Sequence, residues 1–209
     1  MIEYSNVNIS IGDSDFYDPL TPIYRWRGDL PHWEQDGKLY FVTFRLADSL
    51  PAEIVLLKLQ EYNQLRDACQ STEETHLRVL KDTIDKYLDS GVGKCWLKDL
   101  SIREQVIKTL HESDGSDYDL IQYVIMPNHL HLILRTALGK SLKNIIGNIK
   151  RKSTYRINRL IGKSVTLWQR EYYDYLIRNI QELDILREYI RENPTNLPSS
   201  SYHLYLPKR

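Results

Sequence analysis

The stretch YVIMPNHLHLIL, residues 123–134, decides how this chain folds. Apolar residues on both sides of Pro127 and Asn128 predict two buried strands, and the Pro-Asn pair predicts the turn between them. Side chains at i and i+2 of a strand lie on the same face, so His129 and His131 are presented side by side. Because an unpartnered imidazole is costly to bury, we expect a polar group or a metal ion beside the pair.

A plainer interpretation of the same spacing is a solvated strand face. In that case both histidines face water and Leu130 and Leu132 pack beneath them. The apolar residues that flank the pair favour the buried alternative, because they are typical of a strand covered on both faces.

Further segments downstream occur in an order that resembles one family. They are WQREYYD (168–174), IRN (177–179) and YIRENP (189–194), and they follow the His-hydrophobic-His segment MPNHLHLIL (126–134). Together they resemble the single-tyrosine HUH transposases of the IS200-like superfamily. Among these, the REP-associated tyrosine transposases are the most similar, over roughly residues 24–194.

The resemblance implies an enzyme that cleaves and joins single-stranded DNA at a hairpin. Tyr189 would be the nucleophile, becoming joined to a 5′ phosphate and leaving a 3′ hydroxyl. His129, His131 and Asn193 would hold a divalent metal, Mg²⁺ or Mn²⁺. Asn193 follows Tyr189 by four residues, so both project from one helix face. An Asn before Pro194 is also a common helix stop, which needs no metal.

Other tyrosines compete for the nucleophile's role. The chain contains fifteen, and the alternatives nearest the motifs are Tyr155, Tyr172, Tyr173 and Tyr175. Tyr189 is preferred because it combines the family position with a residue able to bind metal one helical turn away.

Positive charge is concentrated in one part of the chain. Basic and acidic residues balance at 28 each, yet residues 120–170 contain no Asp or Glu. Such a run can be a plain solvated surface, but here it begins at the histidine strand, so we expect that a phosphate backbone bound along it leads directly to the two histidines. We expect DNA contacts from Lys150, Arg151, Lys152, Arg156 and Arg178.

The periodicity of the apolar residues predicts strands around a helical insert. Strands are predicted at 39–47, 117–126 and 129–136, and helices at 51–65, 73–88, 101–114, 141–161 and 180–193. This mixture indicates an α+β class. The resemblance implies a ferredoxin-like antiparallel sheet with helices on one face, enlarged by extra helices. We predict one domain over 1–209, with a helical insertion at about 51–113 and a loop-like tail at 195–209.

Composition and cysteine spacing restrict the cellular location and the kinds of site that we expect. No run approaches the roughly 18 apolar residues that a membrane span needs, and Cys69 and Cys95 lack the spacing of a zinc or disulfide motif. We expect a protein of the bacterial cytoplasm, associated with the nucleoid, that binds single-stranded or hairpin DNA and no membrane. It would be a monomer or a homodimer.

Two other functions fit the residues. The chain could be a domesticated DNA-binding protein that keeps the fold and does not cut. It could also be a hydrolytic metalloenzyme for a small molecule, although residues 132–134 supply none of the extra ligands that such a site needs.

Overall fold

The structure, a computed structural model, describes residues 9–28, 31–49 and 91–206. The helices predicted at 51–65 and 73–88 lie outside these residues. The elements in chain order are β1 (Tyr24–Arg27), β2 (Pro31–Glu34), β3 (Leu39–Arg45), α1 (Leu100–His111), β4 (Tyr118–Ile125), β5 (His129–Thr136), α2 (Leu142–Ile161), β6 (Tyr173–Leu176), α3 (Ile180–Glu192) and β7 (His203–Tyr205).

Five strands form one sheet in the order β6-β3-β5-β4-β7, and each strand is antiparallel to its neighbours. Without β7, the remaining strands form two split β-α-β units, in which α1 connects β3 to β4 and α2 connects β5 to β6. This is the ferredoxin-like arrangement. The predicted α+β class and antiparallel sheet are therefore confirmed. Strands β1 and β2 form a separate two-stranded ribbon.

The predicted hairpin at Pro127-Asn128 is present and well supported. The Met126 backbone N–H donates to the His129 carbonyl at 2.8 Å, closing the turn between β4 and β5. Leu46 donates to the Asn128 carbonyl at 2.8 Å, and Leu97 donates to the Pro127 carbonyl at 3.1 Å. Because neighbouring segments satisfy its polar groups, this turn can be buried.

Side-chain alternation along the central strands divides the interior into two layers. On one face, Leu130, Leu132 and Leu134 pack with the apolar residues of α1 and α2. On the other face, Phe41 and Ile133 pack with the apolar residues of α3, which are Leu183, Leu186 and Ile190. The prediction of helices on one face therefore holds for α1 and α2, whereas α3 covers the opposite face.

Helix α1 belongs to the core rather than to an insertion. Its residues Ile102, Val106 and Leu110 are buried against the sheet, which corrects the predicted insertion boundary near residue 113. The helix also begins earlier than the sequence indicates. The Asp99 side chain caps it by accepting from the backbone N–H groups of Ser101 and Ile102.

The tail predicted as loop-like at 195–209 contains two short regular elements within its described part, residues 195–206. Residues Ser199–Ser201 form a 3-10 turn, and β7 pairs with the edge of β4. Leu204 lies opposite Val124 in this pairing, so the segment adds a fifth strand. Short strands of this kind depend on a distant partner, which explains why the local sequence does not indicate it.

Truncation of Leu132 tests the packing of β5 on α1 and α2. Leu132 is completely buried, and we expect Leu132→Ala to lower the free energy of unfolding by about 2–5 kcal/mol. Leu138→Ala is the matched control, because this leucine is 82% exposed and should change stability by less than about 0.5 kcal/mol. Urea unfolding measures both, and equal effects would contradict the assigned orientation of β5.

Candidate active site

The two histidines predicted at the centre of the site lie side by side on the α3 face of the sheet. Their rings are 4.8 Å apart between centroids, and both side chains are essentially inaccessible to solvent. His129 Nδ1 lies 2.8 Å from Asn128 Oδ1, and His131 Nδ1 lies 2.7 Å from Thr43 Oγ1. Each ring is therefore held by a polar neighbour through its Nδ1 atom.

The contact with Asn128 fixes the tautomer of His129. The Asn128 amide nitrogen donates to the Val92 carbonyl at 3.3 Å, which leaves the amide oxygen facing the ring. A carboxamide oxygen only accepts, so His129 Nδ1 carries the hydrogen and Nε2 keeps a lone pair. That Nε2 atom is buried and has no hydrogen-bond partner within the described part of the chain.

Burial keeps both imidazoles neutral. Desolvation, together with the nearby Arg45 cation, lowers the pKa of His129 from its ordinary value to about 3. Desolvation and the neighbouring His129 lower the pKa of His131 well below its ordinary value. Neutral imidazole is the form that binds a metal ion, so both rings are ready to act as ligands at neutral pH.

Helix α3 brings Tyr189 to the histidine pair. The Tyr189 hydroxyl is 3.4 Å from His131 Nε2, and the two rings meet edge to face at 5.2 Å between centroids. Phe41 packs against both, since its ring stacks on His131 and meets Tyr189 edge to face. The phenol is half-buried and faces the site.

The start of α3 is anchored at the buried carboxylate of Glu182. Asn179 caps the helix by accepting from the Glu182 backbone N–H at 2.9 Å, as the sequence predicts. The Glu182 carboxylate in turn accepts from the Tyr175 hydroxyl and the Arg178 backbone N–H, at 2.7 and 2.8 Å. These bonds tie the helix to β6 and so fix the position of Tyr189.

Asn193 stands one helical turn beyond Tyr189, at the end of α3. Its backbone N–H donates to the Tyr189 carbonyl at 3.0 Å. Its side-chain oxygen Oδ1 is buried and makes no hydrogen bond within residues 9–28, 31–49 and 91–206. An orphaned amide oxygen on the same helix as Tyr189 is compatible with the predicted ligand role.

The donor set fits a divalent cation. His129 Nε2 and Asn193 Oδ1 are buried lone-pair atoms without partners, and His131 Nε2 faces the same region. The described residues contain no group of three or more His, Cys, Asp or Glu that could hold a metal. A third protein ligand beside the two histidines would therefore have to be of another kind, and the amide oxygen of Asn193 is the candidate. Two imidazoles favour Mn²⁺ over Mg²⁺, which prefers oxygen ligands alone.

The rival tyrosines are placed less favourably. Tyr155 is 62% exposed on α2, and Tyr172 is buried in the layer on the other face of the sheet, where desolvation raises the pKa of its phenol. Tyr175 donates its hydroxyl to Glu182. Tyr173 lies on the histidine face but on β6, separated from His131 by the whole of β3.

The structure corrects the expected path from the basic helix to the histidines. Helix α2 packs on Leu130 and Leu132, whereas His129 and His131 point to the opposite face of the sheet. Helix α2 follows the histidine strand directly along the chain, which is why the sequence predicts that the two lie side by side. The period-two alternation of β5 separates them.

Only part of the predicted DNA-binding set is available on the surface. The Lys150 ammonium lies beneath the 169–171 loop, whose three carbonyls it contacts at 3.1 Å each, and burial lowers its pKa to about 7. Lys150 therefore holds this loop instead of facing solvent. Lys152 and Arg156 both pair with Glu112, while Arg151 and Arg178 are exposed.

The chain thus contains a ferredoxin-like domain in which a buried histidine pair faces Tyr189, a residue of helix α3. Residues 95–193 match the family model described as "Transposase IS200 like", and this region contains His129, His131, Tyr189 and Asn193. The match covers 99 of the 209 residues and supports, over this region, the resemblance inferred from the sequence.

Two solved structures are similar to this chain. One is the structure of a REP-associated tyrosine transposase bound to a REP hairpin, with 16% identity, a TM-score of 0.46, and coverage of 81% of this chain and 73% of that chain. The other is a crystal structure described as a transposase from Deinococcus radiodurans R1, with 12% identity, a TM-score of 0.33, and coverage of 85% and 98%. Such low scores carry no functional weight. Among curated proteins none matches.

No helix of the described residues is long and apolar enough to cross a membrane.

The buried neutral His129 predicts a specific loss of stability in acid. Its pKa is about 3 when folded and 6.5 when exposed, so below about pH 6.5 the unfolded chain takes up a proton that the folded chain does not. The free energy of unfolding therefore decreases as the pH is lowered, and this residue accounts for a loss of about 2 kcal/mol between pH 7.5 and pH 5. Urea unfolding with EDTA should show His129→Leu losing that part of the pH dependence; an unchanged dependence would contradict burial of a neutral ring.

Proposed function

We propose that this chain is a metal-dependent endonuclease and transferase for single-stranded DNA that works through a covalent 5′-phosphotyrosine at Tyr189. The observation that carries the proposal is the position of the phenol, 3.4 Å from His131 Nε2. His129 Nε2, on the neighbouring imidazole, and Asn193 Oδ1, one helical turn beyond Tyr189, are buried atoms that lack hydrogen-bond partners within the described residues. The family match, which covers all of these residues, supports this assignment.

His129, His131 and Asn193 are the residues that would hold a divalent cation. When bound, the cation would offset the negative charge of the phosphate that is attacked. Asn128 and Thr43 orient the two rings through Nδ1, and the amide oxygen of Asn128 leaves the lone pair of His129 on Nε2 before any metal binds. Such second-layer hydrogen bonds raise the basicity of metal-binding histidines.

Tyr189 would perform the chemical step. Its phenolic oxygen forms a bond to phosphorus, the bond from phosphorus to the 3′ oxygen breaks, the phenolic proton passes to water, and the leaving oxygen takes up a proton. The products are a 5′-phosphotyrosine and a free 3′ hydroxyl. Reversal by another 3′ hydroxyl rejoins the strand without a nucleotide cofactor, which is what transposition requires.

The DNA hairpin would contact two faces of the molecule. The exposed basic side chains of α2 and the following loop are Lys143, Arg151, Arg159, Lys163 and Arg170. They lie behind the sheet relative to Tyr189, so the strand has to pass an edge or an end of the sheet to reach it. The 169–171 loop borders one such end, where the Gln169 N–H donates to the Arg45 carbonyl at 2.9 Å.

Replacement of Tyr189 by Phe tests the nucleophile. We expect Tyr189→Phe to abolish cleavage of single-stranded hairpin oligonucleotides in Mn²⁺ and to form no covalent adduct, because the attacking oxygen is gone. The matched control is Tyr155→Phe, an exposed phenol on α2, which should cleave like wild type. Denaturing gels and mass spectrometry of the nucleotide-bearing peptide provide the measurement.

The outcomes of this assay separate the candidate functions. Adduct formation by Tyr189→Phe would contradict the assignment of the nucleophile. Hairpin binding by the wild type without cleavage in any divalent metal would instead favour a domesticated DNA-binding protein of the same fold.

Replacement of Asn128 tests the orientation of His129. Asn128→Ala removes the acceptor that fixes the tautomer, and we expect the affinity for Mn²⁺ to fall by about 10- to 100-fold. Asn148→Ala is the control, because Asn148 is exposed on α2 and contacts Arg151 there. Calorimetric titration with Mn²⁺ measures both variants, and equal affinities would show that Asn128 does not prepare a metal ligand.

A further inference from the structure

Arg45 is a positive charge beside the histidine pair that the proposed chemistry has not yet used. It is the last residue of β3, and its Cα atom is paired with that of His129 on β5. Alternation along β3 places its side chain on the same face as Phe41 and Thr43, which both contact His131. Its cation is close enough to His129 to lower the pKa of that imidazole.

The guanidinium of Arg45 is largely desolvated, and no residue that the structure describes forms an ion pair with it. Its Nε atom is buried, and no hydrogen bond or ion pair to it occurs in the part of the chain that the structure describes. Desolvation lowers its pKa to about 10, so it stays protonated at neutral pH. A buried cation without an anion is costly, and its retention points to an anion that arrives from outside.

Other partly buried arginines of this chain do find partners. Arg135, on β5, is paired with Asp15 at 2.9 Å and Asp119 at 2.7 Å. Arg103 donates through its terminal nitrogens to carbonyl oxygens, including those of Leu97 and Ser200. The Nε atoms of Arg103 and Arg187 also lack hydrogen-bond partners among the described residues, but their terminal nitrogens have partners. Arg45 differs because no described residue pairs with its terminal nitrogens, and it lies where a phosphate is expected.

We infer that Arg45 forms a phosphate subsite that holds a backbone phosphate of single-stranded DNA next to His129 and His131. The inference rests on the proposed function and adds a substrate-binding residue to it. A guanidinium can donate two parallel hydrogen bonds to phosphate oxygens, which fixes the direction of the strand as well as its position. The subsite would thereby place the phosphodiester within reach of Tyr189.

DNA binding by variants in the Tyr189→Phe background tests the subsite without requiring cleavage. The probe is a DNA hairpin with single-stranded flanks, selected from a randomised pool on the wild-type chain. We expect Arg45→Gln to weaken binding by about 10-fold or more and to reduce the slope of log Kd against log salt by about 0.7, as for one lost phosphate contact. Arg45→Lys should restore the slope while recovering only part of the affinity.

Two controls exclude indirect effects. Arg151→Gln removes an exposed charge on the opposite side of the sheet but keeps Arg45, so neutralising the phosphate that Arg45 contacts should weaken its DNA binding as much as it weakens that of the parent chain. Mn²⁺ affinity, measured separately, should change by less than about 2-fold in Arg45→Gln. A loss of Mn²⁺ affinity that accounts for the loss of DNA binding would overturn the inference, because Arg45 would then act through His129.

A neutral methylphosphonate, placed in turn at each flanking phosphate, locates the contact. At one position it should weaken binding by the parent chain and have no further effect in Arg45→Gln. Equal effects in both chains at every position would overturn the subsite.

The outcomes distinguish failure of the subsite from failure of the proposed function. If the subsite responds as expected and the wild type never cleaves, the catalytic proposal fails alone. If cleavage is normal and Arg45→Gln binds like its parent, the subsite fails alone. If no oligonucleotide is enriched from the pool, both fail.

Discussion

The structure of the site depends on two hydrogen bonds to the Nδ1 atoms of buried histidines. Asn128 and Thr43 contact these atoms at 2.8 and 2.7 Å and hold both rings on the α3 face of the sheet, where His131 Nε2 lies 3.4 Å from the Tyr189 hydroxyl. Because desolvation keeps both rings neutral, the lone pairs remain available at physiological pH. A strand that buried these rings without such partners would be strongly destabilised.

The topology of the sheet determines what can reach these atoms. Since β5 lies between β3 and β4, its histidine face is bordered by Thr43 and Arg45 on one neighbouring strand and by the turn that contains Asn128. Helix α3 covers this face and supplies Tyr189, while the basic helix α2 is confined to the opposite layer. The candidate active site and much of the positive surface are therefore on different faces, so the proposed DNA substrate would have to contact both.

Local patterns predict most of this arrangement, and pairings between distant segments account for what they miss. The i/i+2 spacing of the histidines, the Pro127-Asn128 turn and the limits of α3 are visible in the sequence because neighbouring residues determine them. Strand β7 and the burial of Lys150 depend on contacts with residues far away in sequence. Arg45 went unnoticed for the same reason, since only the pairing of β3 with β5 places it beside His129.

Anomalous diffraction from crystals soaked in Mn²⁺ is the most direct measurement of the central claim, that the oriented histidine pair and α3 together form one metal site. The account predicts a single strong peak within coordination distance of His129 Nε2, His131 Nε2 and Asn193 Oδ1, adjacent to the Tyr189 hydroxyl. A peak bound to other residues, or no peak between the histidines and α3 at saturating Mn²⁺, would contradict it.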